Sequence, residues 1–416
     1  MMDRRIGDLT PEERTFLFDR PATEEIREPV RRILDEVRTE GDAPLFRMAR
    51  AFDGVELEAL EVPRRLWNVD VPTRDALERA ARNLEAFHRA QMPGEVVFET
   101  EPGVRLGRRS TPLPAVGVYA PGGTAAYPSS VLMGVVPARA AGVPEVVVCS
   151  PPGPDGLPPA EVRAACRIGG ATRLFALGGA GAVAAMAYGT ESVPRVEAIV
   201  GPGNQWVTEA KRQVAGALRI DAPAGPSELL VVAGPGADPD LVVLEMVAQA
   251  EHDREAAVAV VGWDDALLTT IRDRLLAFEG PRAEIVHEAL TRRGAIVRTD
   301  SREEALAFAE DFAAEHLSLM TDDPRRDLET QTTAGTVFLG ASASVAFGDY
   351  MTGANHVLPT AGRSRAFSGL STLDFLRFYT WQEITPEAAS SMAEDTARLA
   401  DAEGLPGHAS AARARQ

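Results

Sequence analysis

Val116-Gly117-Val118-Tyr119-Ala120-Pro121-Gly122-Gly123 reads as a short apolar run that ends in a glycine turn. The pattern recurs from about residue 115 onward: brief apolar runs, Gly/Pro turns, then helical periodicity, which is the texture of βαβ units on a parallel sheet. Val116–Tyr119, Glu145–Cys149, Arg173–Leu177, Glu197–Val200 and Leu218–Asp221 form one series of expected strands. A second series is Leu229–Val232, Ala257–Val261, Ala295–Arg298 and Thr336–Leu339, with the break near Gly225-Pro226. The expected class is therefore α/β with two doubly wound units. After Thr360 the pattern turns to helices and a polar tail, with no further strand expected.

Turns in the first unit follow strands and precede helices: Tyr119–Gly123, Gly178-Gly179-Ala180-Gly181 and Gly201-Pro202-Gly203-Asn204. In an open α/β sheet such turns line the crevice at the carboxyl ends of the strands, where backbone N–H groups receive phosphates. Gly179-x-Gly181-x-x-Ala184 matches the dinucleotide fingerprint, but the acidic ribose partner is missing, because Glu197 starts the following strand instead of ending it. Three such turns favour a phosphate-bearing ligand.

Composition narrows the function. The chain of 416 residues is long enough for two or three domains, and 45% of it is hydrophobic. A net charge of -18 excludes a basic nucleic-acid surface. Lys211 is the only lysine, so amine catalysis has one candidate, inside a basic helical segment. Cys149 and Cys166 fit no disulfide framework or zinc ribbon, and Cys149 reads as a buried strand end. Neither a signal peptide nor an apolar run of membrane-spanning length is visible, so a soluble, cytoplasmic protein is expected.

Near the N-terminus, Thr10-Pro11-Glu12-Glu13 is a capping box that starts a short helix. Ile26, Val30, Ile33, Leu34 and Val37 follow at helical spacing up to Gly41. Leu77, Ala80, Ala81, Leu84 and Phe87 mark a further helix, with His88 expected on its partly exposed side. No chemistry is expected before residue 100.

Of six histidines, His252, His316, His356 and His408 lie beside acids or glycines in non-periodic segments; His88 and His287 do not. Gln249 and His252 lie three apart at the end of a helix beginning near Pro239, a spacing that puts both side chains on one face. A zinc site takes about four N, O or S ligands. Gln249, His252, Asp349 and either His408 or His356 could supply them. Glu315-His316 reads either as a proton-handling pair or as a helix C-terminus with its histidine at the dipole.

These stretches resemble the histidinol dehydrogenase family along nearly the whole chain. The likeness rests on Tyr119–Gly123, on Gly201–Asn204 continuing through Thr208–Val214, and on Ala224-Gly225-Pro226-Ser227-Glu228. It continues in Gln249–His252, Glu315–Leu317, Gly348–Tyr350, Gly353–Thr360 and Ala402–His408. The resemblance implies oxidation of L-histidinol to L-histidine through L-histidinaldehyde, with two NAD reduced and one zinc per subunit. It implies zinc on Gln249, His252, Asp349 and His408, and a catalytic pair Glu315 and His316. The substrate would meet Ser227, Gln249, His252, His316, Asp349, Glu403 and His408, and NAD would meet Tyr119 and Asn204. Gly181 stands where many relatives carry a glutamine against NAD. The implied assembly is a homodimer whose tails cross, so that Glu403 and His408 complete the partner's site.

The expected fold is thus two doubly wound, incomplete Rossmann-like domains with a helical C-terminal tail. Residues 1–20 would form an arm, 21–110 with 228–360 the zinc and substrate domain, 111–227 the NAD domain, and 361–416 a dimerising tail. Three rivals remain open: a related zinc/NAD dehydrogenase of another small alcohol, a zinc hydrolase using Glu315, and a non-catalytic nucleotide-binding module.

Overall fold

A computed structural model describes residues 1–18, 26–122, 126–222 and 225–416. Gly123 of the first glycine turn, Ala224 of the Ser227 motif and the expected boundary at residues 20–21 lie outside the described residues. The strands, in chain order, are β1 (Met2–Arg5), β2 (Val96–Glu101), β3 (Val104–Pro112), β4 (Ala115–Tyr119), β5 (Glu145–Ser150), β6 (Arg173–Ala176) and β7 (Ala198–Val200). They continue as β8 (Arg219–Ile220), β9 (Glu228–Ala233), β10 (Ala257–Gly262), β11 (Gly294–Arg298), β12 (His316–Met320), β13 (Thr336–Leu339) and β14 (Leu376–Ile384).

Two parallel sheets carry the fold. The first runs β6-β5-β4-β7-β8 and the second β1-β11-β10-β9-β12-β13. Strand side chains alternate between faces. Val116, Val118, Val146 and Val148 therefore enter one core, and Ala115, Tyr119, Val147 and Cys149 the opposite one. In the second sheet Leu229, Val231, Val258 and Val260 face away from Leu230, Val232, Ala259 and Val261, again with a core on each side. Burial on both faces explains why these strands read as continuous apolar runs.

Five strands escaped the periodicity: β1, β2, β3, β12 and β14. β1, expected as part of an arm, adds to the edge of the second sheet beside β11. Its residues are mostly charged, and Asp3 is held by Arg298 Nε at 2.8 Å and by Arg272 at 3.0 Å. β12 lies inside the second sheet, between β9 and β13, but opens on the polar pair Glu315-His316. β14 corrects the expectation of a tail without strands. It pairs antiparallel with β3 in the three-stranded sheet β14-β3-β2, whose side chains are mostly exposed, the apolar Val96, Val97 and Phe98 included.

Packing also moves residues 26–90. The sequence reading joined 21–110 to the second unit, yet Val30, Leu34 and Val37 share a core with Phe175 and Val183. Leu77, Ala80 and Leu84 share theirs with Val116 and Leu132. These helices cover the two faces of the first sheet because their apolar stripes find partners there. His88 is fully buried, not partly exposed, and its carbonyl accepts a hydrogen bond from Thr372 Oγ1 at 2.7 Å. Among the described residues no helix is long and apolar enough to cross a membrane.

Candidate active site

β8 of the first sheet ends at Ile220, and β9 of the second begins at Glu228, its amino edge. The chemistry of the second unit gathers at that amino edge. Glu228 opens β9, and His316 opens β12 opposite Leu229. The helix Pro239–Ala250 returns from the carboxyl end of β9 and delivers Gln249 to the same edge. The short helix Val345–Tyr350 docks on it, with Val345 N donating to Glu245 Oε2 at 2.9 Å. One turn past that contact lie Gln249 on the longer helix and Asp349 on the shorter. Tyr350, the last residue of the shorter helix, is 55% exposed; partial burial and then the charges of Asp349 and Glu251 raise its pKa.

Four ionisable side chains meet there. His316 Nδ1 is 3.4 Å from Glu315 Oε2 and 3.1 Å from the Glu228 carbonyl, while its Nε2 is 3.7 Å from Asp349 Oδ1. Glu315 Oε2 also accepts the Glu228 N–H at 2.7 Å. His356 places Nδ1 3.0 Å from the Asp349 carbonyl and 4.0 Å from its Oδ1. A carbonyl only accepts, so the neutral His316 ring carries its hydrogen on Nδ1 and presents a free lone pair at Nε2. Burial works against the His316 charge, but the Glu315 carboxylate, with Asp349 behind it, wins and raises its pKa to about 9. Burial prevails at His356 and lowers its pKa.

Gln249 is 1% exposed, and its Oε1 is buried without a hydrogen-bond partner. An orphaned buried acceptor of this kind costs about 1–3 kcal/mol, so it calls for a donor or a cation. With the Asp349 carboxylate likewise one turn past the Glu245–Val345 contact, the Gln249 and Asp349 oxygens are a donor pair of the type a zinc ion accepts. Glu315-His316 is not a helix end: the preceding helix stops at Phe312 with Ala313 left-handed at φ 50°.

Other expected residues stand apart. His252 lies beyond the helix cap and is exposed, so it does not share a helical face with Gln249 in this chain. Glu403 and His408 are exposed on a helical hairpin, Pro386–Ala402 and Pro406–Arg413, closed by Ala397, Ala400 and Ala409. Among the described residues no group of three or more His, Cys, Asp or Glu is placed to hold a metal. Ser227 is half-buried beside Glu228 at the same edge.

At the carboxyl edge of the first sheet, Tyr119 is 3% exposed and its hydroxyl accepts the Gly179 N–H at 3.1 Å. Burial pushes its pKa up to about 12. Asn204 is exposed and caps the helix Gln205–Val214, accepting from Trp206 N and Val207 N through Oδ1. Gly201 has φ +113°, and a Cβ there would meet the Tyr119 carbonyl at 2.1 Å, so only glycine fits. The sole lysine supports this turn: Lys211 Nζ donates to Gly201 O at 3.0 Å and pairs with buried Asp221, whose Oδ2 accepts Gly201 N at 2.7 Å. The sequence reading weighed Lys211 only as a candidate for amine catalysis, and this structural role was missed, as was that of Glu228. The isolation of one lysine in the chain was the only signal for the first, and there was none for the second.

A family model described as histidinol dehydrogenase matches residues 19–416. The histidinol dehydrogenase of Natronomonas pharaonis is 47% identical over 412 residues, covering 97% of each chain. That of Methanosarcina barkeri is 41% identical and covers 100% of this chain and 98% of its own. The crystal structure of histidinol dehydrogenase from Elizabethkingia anophelis superposes with a TM-score of 0.94 at 32% identity, covering 100% of this chain and 98% of that one.

Proposed function

The chain belongs to the histidinol dehydrogenase family of NAD-dependent oxidoreductases, and from that premise we propose that it oxidises L-histidinol to L-histidine through L-histidinaldehyde, with two NAD and one zinc. The observation that carries the site is the buried meeting of Glu315, His316 and Asp349, with the orphaned Gln249 amide delivered to the same edge of the sheet. Gln249, His252, Asp349 and His408 would hold zinc, the last from the tail of a second copy. Bound there, zinc would supply orientation of the substrate amine and imidazole, with Lewis-acid polarisation. NAD, accepted between Tyr119 and Asn204, would take up one hydride in each half-reaction.

His316 accepts the alcohol proton at Nε2 while Nδ1 stays anchored on the Glu228 carbonyl. The Glu315 carboxylate, and Asp349 to a lesser degree, holds the imidazole protonated up to about pH 9. A cation drawing on Asp349 would remove the lesser part of that hold and so favour release of the Nε2 proton. Glu315, fixed through Oε2 by the Glu228 N–H, keeps Oε1 to deprotonate the water that adds to the aldehyde. The hydrate then loses its second hydride, with His316 again taking the hydroxyl proton. Ser227 and the partner copy's tail close the pocket, and Glu403 would pair with the cationic substrate and set its selectivity.

NADH formed per histidinol consumed tests this reading, with and without a chelator. Two NADH per substrate, lost on chelation and regained with zinc, is expected. One NADH per substrate, or activity indifferent to chelation, overturns it.

A further inference from the structure

The first sheet has the strand order of a dinucleotide-binding unit, with β4, β5 and β6 as its first, second and third strands. Such units hold the adenosine ribose with a carboxylate at the end of the second strand. Here β5 runs into Ser150-Pro151-Pro152, which has no acid. The structure delivers one from elsewhere. Tyr119 ends β4, and its hydroxyl reaches the Gly179 N–H beyond β6, so the phenol lies across the end of β5. Asp53 stands on the segment that crosses this edge: the Leu60 carbonyl accepts the Ala176 N–H at the end of β6 at 2.8 Å, and the carboxylate's charge is felt at the Tyr119 phenol.

A second contact places the same segment independently. The helix Asp42–Met48 continues as a π-helical turn, Ala49–Asp53, which ends at Gly54 with φ 72°. Met48 closes over the glycine turn after β6: a Cβ on Gly181 would stand 2.9 Å from its sulfur. The Asp53 carboxylate has no hydrogen-bond or ion-pair partner among the described residues. Its surroundings desolvate it enough to raise its pKa, yet the residue stays open to solvent. π-turns of this kind concentrate at functional sites.

We propose that Asp53 accepts the vicinal hydroxyls of the adenosine ribose and thereby selects NAD over NADP. A carboxylate only accepts, so it matches a pair of hydroxyl donors and repels a 2′-phosphate. The inference rests on the NAD reading above.

NADH and NADPH titrations of the full-length, zinc-loaded protein, followed by nicotinamide fluorescence, test it. Wild type is expected to bind NADH more tightly than NADPH. Asp53→Asn should weaken NADH roughly tenfold, the scale of one hydrogen bond to a charged group, with NADPH unchanged or improved. In turnover the KM for NAD should rise with kcat retained, which a general loss of structure would not produce. An unchanged NADH affinity and NADH/NADPH ratio in Asp53→Asn overturns the inference and leaves the NAD reading intact. Wild type binding neither nucleotide overturns both.

Discussion

In the proposed mechanism His316 and Glu315 are neighbours in the chain with separable roles, because Nδ1 of one and Oε2 of the other are engaged at Glu228, which leaves the proton transfers to Nε2 and Oε1. His316→Asn should lower both half-reactions by on the order of 10²–10⁴, since it removes the base used twice. Glu315→Gln should spare alcohol oxidation and slow aldehyde oxidation. Supplying histidinaldehyde directly and following NADH separates the two, and an undiminished aldehyde rate in Glu315→Gln ends that division of labour. His88 makes a different prediction. Burial lowers its pKa to about 4 from the usual 6.5, so the folded state resists protonation that the unfolded state accepts. The stability it confers is complete above pH 6.5 and is lost as the pH falls toward 4. Urea unfolding at pH 7 and pH 4.5 should therefore differ by about 2–3 kcal/mol more in wild type than in His88→Gln. Equal differences would show that His88 does not carry the acid sensitivity.

Among the elements, the glycine turns are legible from local sequence, because a positive φ and a close backbone approach demand glycine. What holds them is not. Lys211 and Asp221 clamp both the N–H and the carbonyl of Gly201, and both side chains are buried. Removing one member strands the other charge in the interior. Lys211→Met should cost about 3–5 kcal/mol in urea unfolding, and Lys211→Met with Asp221→Leu should recover much of it. A double variant no more stable than the single would mean that the clamp holds the turn for reasons other than charge. The parallel strands from β4 to β11, the short edge strand β8 apart, were readable because they are buried on both faces. β1 and β14 were not, since edge and half-exposed strands are built from charged and mixed residues, and β12 was hidden by the polar pair at its start.

At the scale of the molecule, Glu403 and His408 stand exposed on a hairpin whose packing residues face one another. A tail that completes a second copy's pocket accounts for that exposure. Mixing His316→Asn and His408→Asn proteins tests it through unfolding and reassembly. If tails cross, half of the dimers are mixed and each holds one intact site, so about a quarter of wild-type activity should return. If each tail serves its own chain, no intact site can form and activity stays absent.

Read without coordinates, the chain establishes two parallel α/β units, the glycine turns, the family likeness and the residue types that carry the chemistry. Each of these is written in local periodicity or in contiguous motifs. The tertiary structure alone assigns residues 26–90 to the first sheet and buries Glu315, His316 and Asp349 together at the amino edge of β9 and β12. It alone sets the turn Ala49–Asp53 near the glycine turn after β6, through the contact of Met48 with Gly181. Periodicity reports which side of an element is buried, but not against what. Contacts between residues hundreds of positions apart depend on how whole sheets and helices pack, and no short stretch of sequence encodes that sum.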